Sequence, residues 1–165
     1  MPNQPARRGQ PSDLRIDCVV LSSSRSEFTF LRNVFGPTIR MHHAESVDQT
    51  DFLLTVTEST VLLSDTVFAS GSWHTALSLL SDHHRAVTMI VIADPADQPS
   101  LGDLYSRSAC GVLWKPFQYE AVRRLVRAAH EASWERRVLQ EETFIPDGPL
   151  RWTTCRHERG PWPHV

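Results

Sequence analysis

Val61–Leu62–Leu63–Ser64–Asp65 runs into Thr66, then into the small-residue loop Ala69–Ser70–Gly71–Ser72, and Trp73 opens the next helical pattern. A short apolar run bounded by turn signals reads as a strand buried on both faces. In open parallel sheets, ligands bind just beyond the carboxyl ends of the strands. Asp65 stands at that edge. From this stretch alone two readings are open: a reactive carboxylate, or an Asp that caps a turn or the following helix.

The same grammar repeats on both sides. Upstream, Ile16–Leu21 is an apolar strand ending in Ser22–Ser23–Ser24, and Phe28, Leu31, Val34 and Phe35 follow at helical spacing until Gly36–Pro37. Thr38–His43 reads as a short second strand, and Phe52, Leu53 and Val56 mark a weak second helix over Asp48–Thr57. Downstream, Trp73, Ala76, Leu77 and Leu80 make a third helix. Val87–Ala93 is another buried strand, and Leu101, Leu104 and Tyr105 suggest a short fourth helix. Cys110–Trp114 is the fifth strand, followed at once by Lys115–Pro116, and the last helix runs from about Tyr119 toward Glu141. Five β-α units with short buried strands predict an α/β fold: a flavodoxin-like, doubly wound, five-stranded parallel sheet of order 2-1-3-4-5, with helices on both faces.

The chain of 165 residues suits one full domain. Three organisational parts are expected: residues 1–13 as a disordered leader, residues 14–142 as the domain with its extended last helix, and residues 143–165 as a tail containing Pro and Trp. A net charge of −2 excludes a nucleic-acid binder that relies on bulk charge. No apolar run is long enough to span a bilayer, and residues 1–13 lack the apolar core of a secretory signal. Three sparse cysteines, Cys18, Cys110 and Cys155, give no disulfide framework and fit reduced thiols in the cytoplasm.

With Asp65 closing the third strand, Trp114–Lys115–Pro116–Phe117 following the fifth, and no large insertion between the units, the chain resembles a receiver domain of two-component response regulators over roughly Leu14 to Ala132. The resemblance implies that Asp65 is the phosphoacceptor position, that Lys115 binds the phosphoryl group as a point charge, and that Mg²⁺ bridges the phosphoryl oxygens. It also exposes departures. Ser22 and Ser23 stand where the family holds an acidic pair for Mg²⁺, so only Asp65 would remain as a carboxylate ligand and Mg²⁺ would bind weakly. Ala93, followed by Asp94, stands at the hydroxyl switch position, Val112 at the aromatic switch, and Ala69 at the proline after the phosphorylation loop. The pattern is that of a degenerate receiver, or pseudo-receiver. Asp65, Lys115, Ala93, Ser22 and Ser23 should converge at one sheet end. With the metal pair gone, Asp65 and Lys115 are expected to form an ion pair; phosphorylation of Asp65 is the other reading.

Competing sites are weaker. His42–His43 lie on a strand and point to opposite faces, and His83–His84 read as solvated surface. Cys155, His157 and His164 lack a second cysteine at zinc-site spacing. Ser22–Ser24 lacks the Gly-x-Ser-x-Gly turn of a serine nucleophile, and no Gly-rich phosphate loop follows the first strand. Trp73 reads as a packing residue.

The expected function is therefore a stand-alone receiver-like signalling protein, not an enzyme, acting on a protein partner such as a histidine kinase or a downstream effector. A constitutive surface of Leu101, Tyr105 and the last helix would carry that contact, and a dimer would form through the last helix, whose apolar residues continue to Trp134, Val138 and Leu139. Residues 143–165 are too few for a helix-turn-helix output module. The alternatives are a single-domain response regulator phosphorylated on Asp65, or, from another class, a flavodoxin-like small-molecule binder or enzyme.

Overall fold

The computed structural model describes residues 15–97 and 109–143. The described elements are β1 Ile16–Leu21, α1 Arg25–Phe35, β2 Ile39–Ala44, α2 Val47–Thr57, β3 Val61–Asp65, β4 Val67–Phe68, β5 Gly71–Ser72, α3 Trp73–His83, β6 Thr88–Ala93, β7 Ala109–Trp114 and α4 Tyr119–Thr143. The sheet has the order β2-β1-β3-β6-β7 and every pair in it is parallel. With the two-residue strands β4 and β5 set aside, this is the predicted order.

Alternation along the strands divides the core into two layers. Cys18, Val20, Val61, Leu63, Ile90, Ile92 and Leu113 face Leu31 and Phe35 of α1 and Val122, Val126 and Ala129 of α4. Val19, Leu21, Leu62, Met89 and Val91 face Leu54 of α2 and Trp73, Ala76, Leu77 and Leu80 of α3. A strand covered on both faces needs no polar alternation, which is why these runs are apolar throughout.

Local chemistry sets the helix starts. The Ser24 hydroxyl accepts from Glu27 N at 3.3 Å at the head of α1, and Ser46 does the same for Gln49 N at 3.3 Å in α2. Several boundaries differ from the sequence reading, among them the starts of β6 at Thr88 and of β7 at Ala109. Thr38 belongs to a 3₁₀ turn, Gly36–Thr38, so the second strand starts at Ile39 and runs on to Ala44. α2 begins at Val47, because Ser46 caps it. The small-residue loop is a miniature antiparallel hairpin, Val67 paired with Ser72 and Phe68 with Gly71. Gly71 has φ +156°, and a Cβ there would lie 2.8 Å from Thr75 Oγ1, so only glycine fits. The proposed fourth helix at Leu101–Tyr105, the leader and the tail lie outside the described residues.

The second half of α4 is tied to the amino ends of β3 and β6. His130 Nδ1 pairs with Thr60 Oγ1 at 2.7 Å, and Arg136 donates to Thr88 Oγ1. Arg137 donates to Glu58 O at 3.1 Å and Ser59 O at 3.3 Å. Among the described residues no helix is long and apolar enough to cross a membrane.

Candidate functional site

The strand ends bring the five predicted residues together. Asp65 is the last residue of β3 and pairs in register with Ile92, the neighbour of Ala93. Lys115 N donates to Ala93 O at 3.0 Å, and Ser22 N donates to Ala44 O at 3.0 Å, so each chain leaves the sheet beside the next. The Ser23 hydroxyl accepts from Ala69 N at 3.0 Å, which ties the loop after β1 to the hairpin after β3. Beside them opens a pocket of about 510 Å³ lined by Asp65, Thr66, Val67, Ser72, Trp73, His74, Asp94 and Lys115. Asp94 Oδ1 accepts from Ala96 N at 3.0 Å, an Asx turn that holds the loop after β6.

Asp65 is only 9% exposed, and its Oδ1 has no hydrogen-bond partner. Burial raises its pKa above the ordinary carboxylate value. The Ser22 hydroxyl opposes that rise. Glu27 adds to it, while Lys115 and His43 work against it. The Ser22 oxygen also accepts from Ser24 N at 3.0 Å. His43 Nε2 lies 2.9 Å from Ser22 O, which requires the ring to donate from that nitrogen, and the ring stacks on Phe28 at 4.7 Å.

The expected ion pair between Asp65 and Lys115 is corrected here. Lys115 Nζ lies 2.5 Å from Glu27 Oε1, with the two side chains 29% and 24% exposed. Glu27 reaches the lysine from the first turn of α1, whereas Asp65 feels it only at longer range. Glu27 was invisible to strand-end reasoning because it stands on a helix. Its one signal is Ser24-x-x-Glu27, the spacing of a capping box. In a capping box the Glu would turn back to Ser24 N, but that donor is already taken by Ser22 Oγ.

A divalent cation of the kind the resemblance implies does not fit these residues. Both candidate serines are neutral and hydrogen-bonded, and Glu27 is held by an ammonium. Among the described residues no group of three His, Cys, Asp or Glu side chains could hold a metal ion. The histidine pairs are placed separately. His42 Nε2 binds Asp17 Oδ1 at 3.0 Å on the β1–β2 surface. His84 departs from the solvated reading: it is half-buried and its Nε2 lies 2.6 Å from Asp51 Oδ1, linking α3 to α2. Val112 is half-buried against the α2–α3 layer, and Trp114 is 39% exposed.

No family model matches the chain, and no curated protein matches it. Solved structures do. The signal receiver domain of an HD domain-containing protein from Pseudomonas fluorescens Pf-5 is 19% identical, with TM-score 0.65, over 75% of this chain and 93% of that one. A chain from Rhodopirellula baltica described as adenylate cyclase is 11% identical, with TM-score 0.70, over 79% of this chain and 98% of that one. The N-terminal receiver domain of a two-component response regulator from Bacteroides fragilis is 14% identical, with TM-score 0.65, over 70% of this chain and 97% of that one. The fold of this chain is that of the signal receiver domains.

Proposed function

We propose that this chain is a receiver-like signalling protein that works by protein–protein contact, with an atypical pocket around Asp65 in place of a phosphate-driven switch. The observation that carries this reading is the engagement of Lys115 by Glu27, next to an Ala93 that has no hydroxyl to offer. A ligand shifts a two-state equilibrium only by its differential affinity for the two states. A phosphoryl group on Asp65 would meet a lysine already neutralised and a methyl group, so its leverage on the surrounding surface is small. The partner is a protein, a histidine kinase or a downstream effector, met in the cytoplasm. The last helix offers a dimer face at Trp134 and Val138, which are 56% and 39% exposed.

The test is quantitative retention of cellular proteins on the immobilised full chain, wild type and Asp65→Asn, each with and without acetyl phosphate. The same proteins should be retained in all four arms, with affinities within about a factor of ten, or roughly 1.4 kcal/mol. Retention that needs the phosphodonor and disappears in Asp65→Asn supports the second reading, a single-domain response regulator phosphorylated on Asp65 by a histidine kinase. That reading is favoured by one feature, the buried and unpartnered Oδ1 of Asp65.

A further inference from the structure

We propose that Glu27 is the residue that closes this pocket to a phosphoryl group, by holding the lysine such a group would need. The proposal rests on the receiver-like reading of the pocket and adds to it a named residue and a reason. The Glu27–Lys115 contact is short, 2.5 Å, and both side chains are about three-quarters buried. Pairs so placed are screened less than surface pairs, and breaking one leaves a charge without compensation in a poorly solvated place. Glu27 is also free to make the contact. It is not spent on its own helix end, because Ser24 N is satisfied by Ser22 Oγ.

Two other described groups near Asp65 are already engaged. His43 lies near Asp65, but its Nε2 is engaged by Ser22 O at 2.9 Å. The Ser22 hydroxyl is neutral and already accepts from Ser24 N at 3.0 Å. An incoming phosphoryl group would therefore face the carboxylate of Glu27 as well as that of Asp65, while the Lys115 ammonium is held by Glu27. Like charges brought together there repel. Asp65 lines the pocket at the end of β3, within reach of a small phosphodonor. With acetyl phosphate, an Asp65 carboxylate oxygen would form a bond to phosphorus as the bond from phosphorus to the acetate oxygen breaks, and acetate would leave with that electron pair. Neutralising the carboxylate at position 27 releases Lys115 to stand beside the transferred group, the arrangement that favours transfer.

The experiment incubates the full chain with acetyl phosphate, with and without Mg²⁺, and follows the initial rate at which the intact protein gains the mass of one phosphoryl group. The forms are wild type, Glu27→Gln, Glu27→Ala and the double variant Glu27→Gln/Asp65→Asn, each checked for native circular dichroism. Glu27→Gln keeps the shape of the side chain, and Glu27→Ala stands in should it fail to fold. Both single variants should react faster than wild type by roughly tenfold or more, and the double variant should lose the gain. Equal rates in wild type and the Glu27 variants overturn the proposal. So does a slower reaction in Glu27→Gln, which would make Glu27 a helper of transfer, and so does a gain that survives in the double variant. A complete lack of reaction in every form overturns it too. In that case the protein-contact reading is judged separately, by retention that does not depend on phosphodonor.

Discussion

His130 Nδ1 lies 2.7 Å from Thr60 Oγ1, joining the middle of the last helix to the residue that precedes the central strand. Burial holds the imidazole pKa below its ordinary value, and the Arg137 guanidinium pushes it the same way, with Glu131 in opposition. The folded chain thus binds fewer protons at this site than the unfolded chain, and the slope of stability with pH is positive there. The contribution is complete above the unfolded value of about 6.5 and is lost as pH falls through the lower folded value. Thermal midpoints should drop on going from about pH 7.5 to pH 5.5. His130→Gln should make that drop shallower; an unchanged slope would mean that this histidine is not its source.

Asp65 carries the opposite sign. Its folded pKa is raised, first by burial, so the folded state binds more protons than the unfolded one. The resulting penalty is absent below the unfolded value of about 3.9, grows as pH rises through the folded value, and is complete above it. Asp65→Asn should be more stable than wild type at neutral pH by roughly 1 kcal/mol. The advantage should fade in acid, as read from denaturant midpoints at both pH values.

Lys115→Ala strips the counter-charge from Glu27, not from Asp65. The expected loss is roughly 1–3 kcal/mol, with only a weak dependence on salt. A double-mutant cycle with Glu27→Ala should return most of that energy as coupling, whereas a cycle with Asp65→Asn should return little.

Gly71→Ala places a methyl 2.8 Å from Thr75 Oγ1, in the turn that sets the start of α3. Thr75 must move or the hairpin must open, and a cost of roughly 1–3 kcal/mol is expected. Chemical denaturation measures it, and Thr75→Ala in the same background should recover part of the loss by removing the hydroxyl that the new methyl meets.

Arg136→Ala removes the donor to Thr88 Oγ1 and to Ala132 O. Hydrogen exchange should quicken over the last turns of α4 by roughly tenfold, the equivalent of 1.4 kcal/mol, while the amides of β3 and β6 keep their protection.

Strand order and the convergence of Asp65, Ser22, Ser23, Ala93 and Lys115 were legible in the sequence because each terminates an apolar run, and parallel strands must end on one side. What the sequence concealed came from helices and loops. Glu27 entered no strand-end argument, because its partner Lys115 stands far along the chain, after β7. His84 looked exposed in a polar run, yet α2 presents Asp51 to it across the fold. The hairpin at Val67–Ser72 is too short for any periodicity to register. For Glu27 and His84 the deciding partner lies on another element, where local spacing carries no information.

The length of α4 has a mechanical consequence. Twenty-five helical residues make a rod of roughly 37 Å, against roughly 20 Å for the strands it crosses. Its apolar grip on the sheet ends at Val122, Val126 and Ala129. Beyond these Ser133 is still fully buried, and past it the helix becomes an arm that leaves Trp134, Val138 and Leu139 exposed. Arg136 and Arg137 act as stays on that arm, fastened to Thr88, Glu58 and Ser59. Whatever the far end touches will therefore read how firmly those two arginines hold.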